Sequence, residues 1–207
     1  SSSEIYGDPD PKNVPTQESY RGNVSCQGPR ACYDESKRVG ETLCYIFHEM
    51  HGVATNTIRP FNVFGPGMQE TDYRVMPNFA SRIKAGRPLN VYGSGNQTRT
   101  FCYITDAMVG FLLVILKGVP GEAYNIGTPT PEIAMVELVR RIEGVLGRPV
   151  AHNVIEYPDS YPADEPNRRC PDIKKARRQL GFEPTVDLDD GLKRFFAWSD
   201  GVYTGKE

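Results

Sequence analysis

From Ala31 to Met50 the apolar side chains Tyr33, Val39, Leu43, Cys44, Tyr45, Ile46 and Phe47 recur at helical spacing, and Gly52 follows as a stop. The same period predicts helices over Arg74 to Ala85, ended by Gly86, over a strongly apolar run through Leu116 with Asp106 as its N-cap, and over Ile133 to Leu146, ended by Gly147. Two shorter helices close the chain, Ile173 to Leu180 before Gly181 and Asp189 to Trp198. Between them lie brief apolar runs bounded by Gly, Pro and Asn, which read as strands: Val53 to Ile58, Leu89 to Tyr92, Phe101 to Ile104, Ala123 to Ile126 and Val154 to Tyr157. Ser1 to Tyr6 reads as a further short strand, stopped by Gly7-Asp8-Pro9. The aperiodic stretch from there to Pro29 predicts a long loop, and so does the Pro/Asp/Arg-rich stretch from Pro158 to Pro171. Strands alternating with helices predict an α/β class with a mainly parallel sheet.

Composition narrows the function classes. The 207 residues are 39% hydrophobic and 24% charged, which is globular composition. With 24 Lys and Arg against 26 Asp and Glu, the net charge of -2 offers no field for nucleic acid or an anionic membrane. No run approaches the ~20 apolar residues of a membrane span, and Ser1-Ser2-Ser3-Glu4 lacks the character of a signal peptide, so the sequence reads as cytosolic. The five cysteines, Cys26, Cys32, Cys44, Cys102 and Cys170, are scattered and form no C-x-x-C pair, and the three histidines form no metal set. Reduced thiols and no bound metal are expected.

The sharpest chemical signal is Tyr33-Asp34-Glu35-Ser36-Lys37. Residues four apart on a helix share a face, about 5 to 6 Å between Cβ atoms. A Tyr hydroxyl with its ordinary pKa of about 10 is a poor base at neutral pH unless a fixed cation favours the phenolate, and Lys37 supplies one. The same pair is equally compatible with a packed Tyr and a solvated Lys. Upstream, Ser2, Ser3 and Glu4 place hydroxyls and a carboxylate at a strand terminus, where the ligand crevices of open α/β sheets lie. Downstream, Asn62 is a polar residue at an apolar strand end, and Arg99 sits beside the turn Gly93-Ser94-Gly95-Asn96, suited to grip a phosphate.

In this combination and order the pieces resemble the extended short-chain dehydrogenase/reductase superfamily of nucleotide-sugar-modifying enzymes, and within it the UDP-glucuronate decarboxylases (UDP-xylose synthases). The likeness is carried by Gly28-Pro29-Arg30-Ala31-Cys32-Tyr33-Asp34-Glu35-Ser36-Lys37-Arg38, by Val91-Tyr92-Gly93-Ser94-Gly95-Asn96-Gln97-Thr98-Arg99, and by Arg169-Cys170-Pro171-Asp172-Ile173-Lys174-Lys175-Ala176. It implies the C-terminal part of a Rossmann-like parallel sheet plus a smaller α/β substrate-binding lobe. Residues 1–66 would end the dinucleotide-binding domain and 67–207 would mainly form the nucleotide-sugar lobe. The family's Gly-rich dinucleotide-binding half has no counterpart here, so a fragment of a longer enzyme is expected, with little activity of its own.

The resemblance also assigns roles. Tyr33 would take the sugar C4 hydroxyl proton while NAD accepts the hydride, and Lys37 would hold the nicotinamide ribose. Ser2 would hydrogen-bond the same hydroxyl, and Ser3 and Glu4 would face C5 and its carboxylate. Asn62 and Arg99 would contact the diphosphate, Val91 and Tyr92 the uracil face, and Arg169 the sugar carboxylate. The substrate would be a UDP-sugar and the assembly a homodimer, through a seam that includes the Tyr33 helix. There Val39, Leu43 and Phe47 make a stripe that would face either a partner or the sheet. One departure stands out: where decarboxylases read Gly-Pro-Arg-Met, this chain reads Gly65-Pro66-Gly67-Met68. A 4-epimerase or a 4,6-dehydratase therefore stays open. Dehydratases of the dTDP-glucose type carry Asp-Glu where this chain has Ser3-Glu4, while those acting on GDP-mannose carry Ser-Glu. A non-catalytic nucleotide-sugar-binding or dimerisation lobe is the reading from a different class.

Overall fold

The structure, a computed structural model, describes residues 1–157 and 166–205. Its first element corrects the expected N-terminal strand. Ser2 is extended, its hydroxyl accepts from the Glu4 N–H at 3.2 Å, and this local cap turns the chain into a 3-10 helix over Ser3–Tyr6. A serine that can satisfy the backbone two residues on competes with strand pairing, which is why the apolar pair Ile5-Tyr6 does not extend into a strand. The long loop follows as expected, interrupted by one 3-10 turn at Pro11–Asn13.

Helix α1, Ala31–His51, ends at Gly52 in the left-handed region, φ 65°, as the sequence requires. Strand β1, Thr57–Pro60, starts later than expected because Val53 is used in the helix cap, its N–H donating to Phe47 O. Strand β2, Val63–Phe64, helix α2, Val75–Lys84, and strand β3, Leu89–Tyr92, come next. Strands β4, Thr98–Arg99, and β5, Cys102–Tyr103, lead into α3, Ile104–Lys117. Strands β6, Ala123–Ile126, and β7, Ile133–Ala134, precede α4, Met135–Leu146. The chain then forms β8, His152–Ile155, β9, Arg168–Arg169, α5, Lys174–Leu180, and α6, Leu188–Val202. Pairing is parallel in β1 with β6, β2 with β5, β3 with β8 and β4 with β9, and, among the described residues, antiparallel only in β4 with β7. The α/β class with mainly parallel strands holds.

Two further expectations change. Asp106 is not an N-cap. It lies inside α3 and its carboxylate accepts from Thr185 N–H, Val186 N–H and the Thr185 hydroxyl at 2.9 to 3.1 Å, tying α3 to the approach of α6 some eighty residues on. Arg169 lies in a strand rather than a loop, registered against Arg99 of β4. Most of the predicted loop before it, residues 158–165 with Asp164 and Glu165, lies outside the described residues.

Packing makes three clusters. The largest joins α2, β3, α4 and α6 around Phe79, Leu89, Leu138 and Phe195. The second joins α3, β6 and α5 through Val114, Ile126, Ala176 and Phe182. Gly110 permits that approach, since a Cβ there would stand 2.6 Å from Ile126 Cγ2. The third is small and matters most for the site: Ile5, Tyr6 and Phe61. The Tyr6 hydroxyl donates to Asn125 Oδ1 at 2.8 Å and accepts from Arg59 at 2.7 Å, and Arg59 forks onto the Glu41 carboxylate at 2.9 and 2.6 Å. Burial pushes the Tyr6 phenol up to about 12, so it stays a neutral donor. This network ties the N-terminal 3-10 turn to α1, β1 and β6.

Candidate active site

A cavity of about 540 Å³ opens between the N-terminal 3-10 turn, the start of α1, the ends of β2 and β4, and β3. All of the candidate residues except Lys37 line it. At one end stands Glu4, carried by the 3-10 turn whose cap is Ser2, with the buried Ser3 between them. The Glu4 carboxylate accepts a two-pronged pair from Arg169, at 2.6 and 2.7 Å, and a further contact from Arg30 at the N-cap of α1. Both arginines line the cavity, so two planar guanidiniums from distant parts of the chain meet a single carboxylate on its wall.

Tyr33 sits one turn into α1, half exposed and facing the cavity. Lys37 follows one turn later, its ammonium 5.3 Å from the Tyr33 ring centroid, although it does not line the cavity. Asp34, between them in sequence, is buried yet also lines the cavity. Its Oδ1 has no hydrogen-bond partner. Burial raises the Asp34 carboxyl above its ordinary value, the Glu4 charge adds to this, and Arg30 and Arg169 oppose it. Neither Arg30 nor Asp34 stood out in the sequence. Asp34 in the first turn of a helix ordinarily complements the helix dipole, and the signal that would have found both is their i, i+4 spacing around Tyr33.

The opposite end is built differently. Asn62 holds the one positive φ, 39°, among the described non-glycine residues, and its Nδ2 donates to Thr100 O at 2.9 Å. Arg99 is buried and donates to Thr98 O at 2.8 Å and Asn167 O at 3.3 Å, so part of its fork already braces the backbone. Tyr92 stacks on Tyr157 with ring centroids 5.8 Å apart and planes 25° from parallel, giving a flat aromatic wall. Val91, its neighbour, is almost wholly buried beneath it in β3 and offers little surface. Among the described residues no His, Cys, Asp and Glu side chains group as a metal set, and no helix is long and apolar enough to cross a membrane.

Comparison with known proteins matches residues 1–127 to the NAD dependent epimerase/dehydratase family. UDP-glucuronic acid decarboxylase 1 of Xenopus tropicalis is 42% identical over 194 residues, 94% of this chain and 44% of the relative. UDP-glucuronic acid decarboxylase 3 of Arabidopsis thaliana is 42% identical over 93% of this chain and 54% of the relative. The chain thus spans about half the length of the curated relatives it matches. Among solved structures, UDP-glucuronic acid 4-epimerase of Bacillus cereus, in complex with UDP-glucuronic acid and NAD, superposes with a TM-score of 0.82 at 27% identity, covering 98% of this chain and 60% of that one. DesIV, a dTDP-glucose 4,6-dehydratase of Streptomyces venezuelae with NAD bound, gives 0.83 at 26% identity, covering 97% and 58%.

Proposed function

From the premise that the chain belongs to the NAD dependent epimerase/dehydratase family, we propose that the whole protein converts UDP-glucuronate to UDP-xylose, losing carbon dioxide through a 4-keto sugar. The observation that carries this reading is the meeting of Arg30 and Arg169 on one carboxylate in the cavity that Tyr33 faces. Such a site is built for a carboxylate, and a uronic acid brings one next to the carbon to be oxidised. The 42% identity to UDP-glucuronic acid decarboxylases over nearly the whole chain supports it.

In this reading residues 1–66 end the dinucleotide-binding domain and 67–207 supply mainly the nucleotide-sugar lobe. The half-exposed Tyr33 phenol with the Lys37 ammonium one turn away fits the nicotinamide and ribose end of NAD, which these two residues would hold. NAD, when bound, supplies the acceptor for the C4 hydride and gives that hydride back, so none is consumed overall. Tyr33 takes the C4 hydroxyl proton, and Ser2 orients the same hydroxyl. With C4 a ketone, the C5 carboxylate is β to a carbonyl. The C5–carboxylate bond then breaks, its electron pair passes into an enolate, and carbon dioxide leaves. Glu4, Ser3 or a water that they hold returns a proton to C5. Tyr92 stacks with the uracil, Val91 backs it, and Asn62 and Arg99 face the diphosphate.

A second reading is a 4-epimerase acting on the same UDP-sugar, and a specific residue favours it. Gly67 stands where decarboxylases carry Arg, and its φ of 96° is one that an arginine would adopt only under strain. Product identity decides between the two. Incubating the complete protein with UDP-glucuronate and NAD and assigning the product sugar by NMR should give UDP-xylose. UDP-galacturonate would establish the epimerase, and a 4-keto-6-deoxy sugar formed from dTDP-glucose or GDP-mannose would establish the dehydratase.

A further inference from the structure

Arg169 is delivered to the cavity by β9, a strand of two residues that, among the described residues, pairs with β4 alone. The backbone bonds across that edge run from Thr98 N–H to Asn167 O at 2.9 Å and from Thr100 N–H to Arg169 O at 3.2 Å. So short a pairing holds its strand weakly. The Glu4 carboxylate adds its pair with the Arg169 fork, but in the proposed reaction that fork also serves the substrate, and a contact the substrate must share cannot be the brace as well. A second tie joins the same two segments. Four residues after Glu4 and two before Arg169, the Asp8 carboxylate accepts from the Asn167 N–H at 2.8 Å and from Asn167 Nδ2 at 2.9 Å. Asp8 is itself fixed from behind by Asn23, whose carbonyl accepts from the Asp8 N–H at 3.3 Å and whose Nδ2 donates to Asp8 O at 3.0 Å. Neither Asp8 nor Asn167 lines the cavity.

We propose that Asp8, acting through Asn167, is the positioning residue that keeps Arg169 in place for the sugar carboxylate while the Arg169 fork is shared with the substrate. A carboxylate only accepts, and Asn167 turns two donors towards it, so the pair has one complementary arrangement and holds the start of β9 at two points. The Asn167 carbonyl also accepts from Arg99 at 3.3 Å, so the same clamp steadies the diphosphate end of the cavity. A loss at that end is common to every UDP-sugar. The part that passes through Arg169 is felt only by a sugar that carries a carboxylate. The proposal rests on the uronate reading of the site, and in it Asp8 touches no substrate atom.

The test is calorimetric binding of UDP-glucuronate and of UDP-glucose to the complete NAD-loaded protein, read as the ratio of the two affinities. Asp8→Asn sets one amide NH2 against another, and Asn167→Asp sets two carboxylates together. Each should lower the wild-type ratio about tenfold, the worth of one hydrogen bond to a charged group, and Asp8→Ala, which only removes the acceptors, should lower it by a similar amount. The exchanged pair, Asp8→Asn with Asn167→Asp, again faces donors with acceptors at unchanged net charge, so its ratio should return to within about threefold of the wild type. A ratio unchanged in all the single variants, equal losses for both ligands included, overturns the proposal, because the clamp then serves the fold alone. An exchanged pair no better than the single variants overturns it as well. A wild type that binds UDP-glucuronate no tighter than UDP-glucose would instead overturn the uronate reading, and the positioning role with it.

Discussion

Tyr33 and Arg169, to which the proposed reaction gives the two chemical tasks, were legible to different degrees. Tyr33 with Lys37 is a local pattern, four residues apart on one helix, so the sequence displays it. Arg169 and Glu4 lie 165 residues apart, and only the fold shows that one holds the other. Asp34 was hidden because its burial is a property of the fold that leaves no mark on the local pattern. Tyr33→Phe should abolish oxidation at C4 while leaving nucleotide-sugar binding intact, measured as turnover against calorimetric affinity, because it removes one oxygen and little volume. Unchanged turnover would make Tyr33 a packing residue. Arg169→Lys keeps the charge but loses the planar fork. A hydrogen bond to a charged group is worth about 1.5 to 3 kcal/mol, so binding of UDP-glucuronate should weaken about ten- to a hundredfold, and more than binding of UDP-glucose. Equal losses would assign Arg169 to the diphosphate or to holding Glu4.

At the scale of elements, the helices were readable because a 3.6-residue period runs for many residues and glycines close it, as at Gly52, Gly147 and Gly181. The two-residue strands β2, β4, β7 and β9 carry too little period to be read, and β4 and β9 are the ones that deliver Arg99 and Arg169 to the cavity. The N-terminal turn was misread because a serine cap outcompetes a strand over so short a run. What holds that turn in place is the Glu41–Arg59–Tyr6–Asn125 chain. Burial alone would raise the Glu41 carboxyl, but hydrogen bonding and charge from Arg59 more than reverse this and hold it below the ordinary range. A depressed carboxyl stabilises the fold above its unfolded pKa, about 4.3, and that contribution is lost as pH falls through the lower folded value. Glu41→Gln should therefore cost about 2 to 3 kcal/mol near neutrality and remove part of the acid destabilisation, read by denaturant midpoints between pH 7 and pH 3. An identical pH dependence in wild type and variant would show that Glu41 is not the titrating contact.

For the molecule as a whole, the alternation of strands and helices led to the right class, and the resemblance led to the right family. How the pieces close on a single cavity was not legible, since parallel pairs such as β1 with β6 join residues far apart in sequence. On α1 the stripe Val39, Leu43 and Phe47 is at least half exposed. The expected homodimer through this helix predicts a dimeric mass for the complete protein by light scattering, shifted towards monomer by Leu43→Asp. A monomeric mass for the unsubstituted protein would count against it. The proposed reaction breaks the bond to a sugar carboxylate in the cavity around Tyr33 and the Arg30/Arg169 pair. Its most direct test is to supply the complete protein with UDP-glucuronate carrying isotope in the sugar carboxyl carbon and to measure label released as carbon dioxide, together with the absorbance of reduced nicotinamide. One labelled carbon dioxide per sugar consumed, with no net reduced cofactor, is the expected result. Sugar turned over with all the label retained would contradict it.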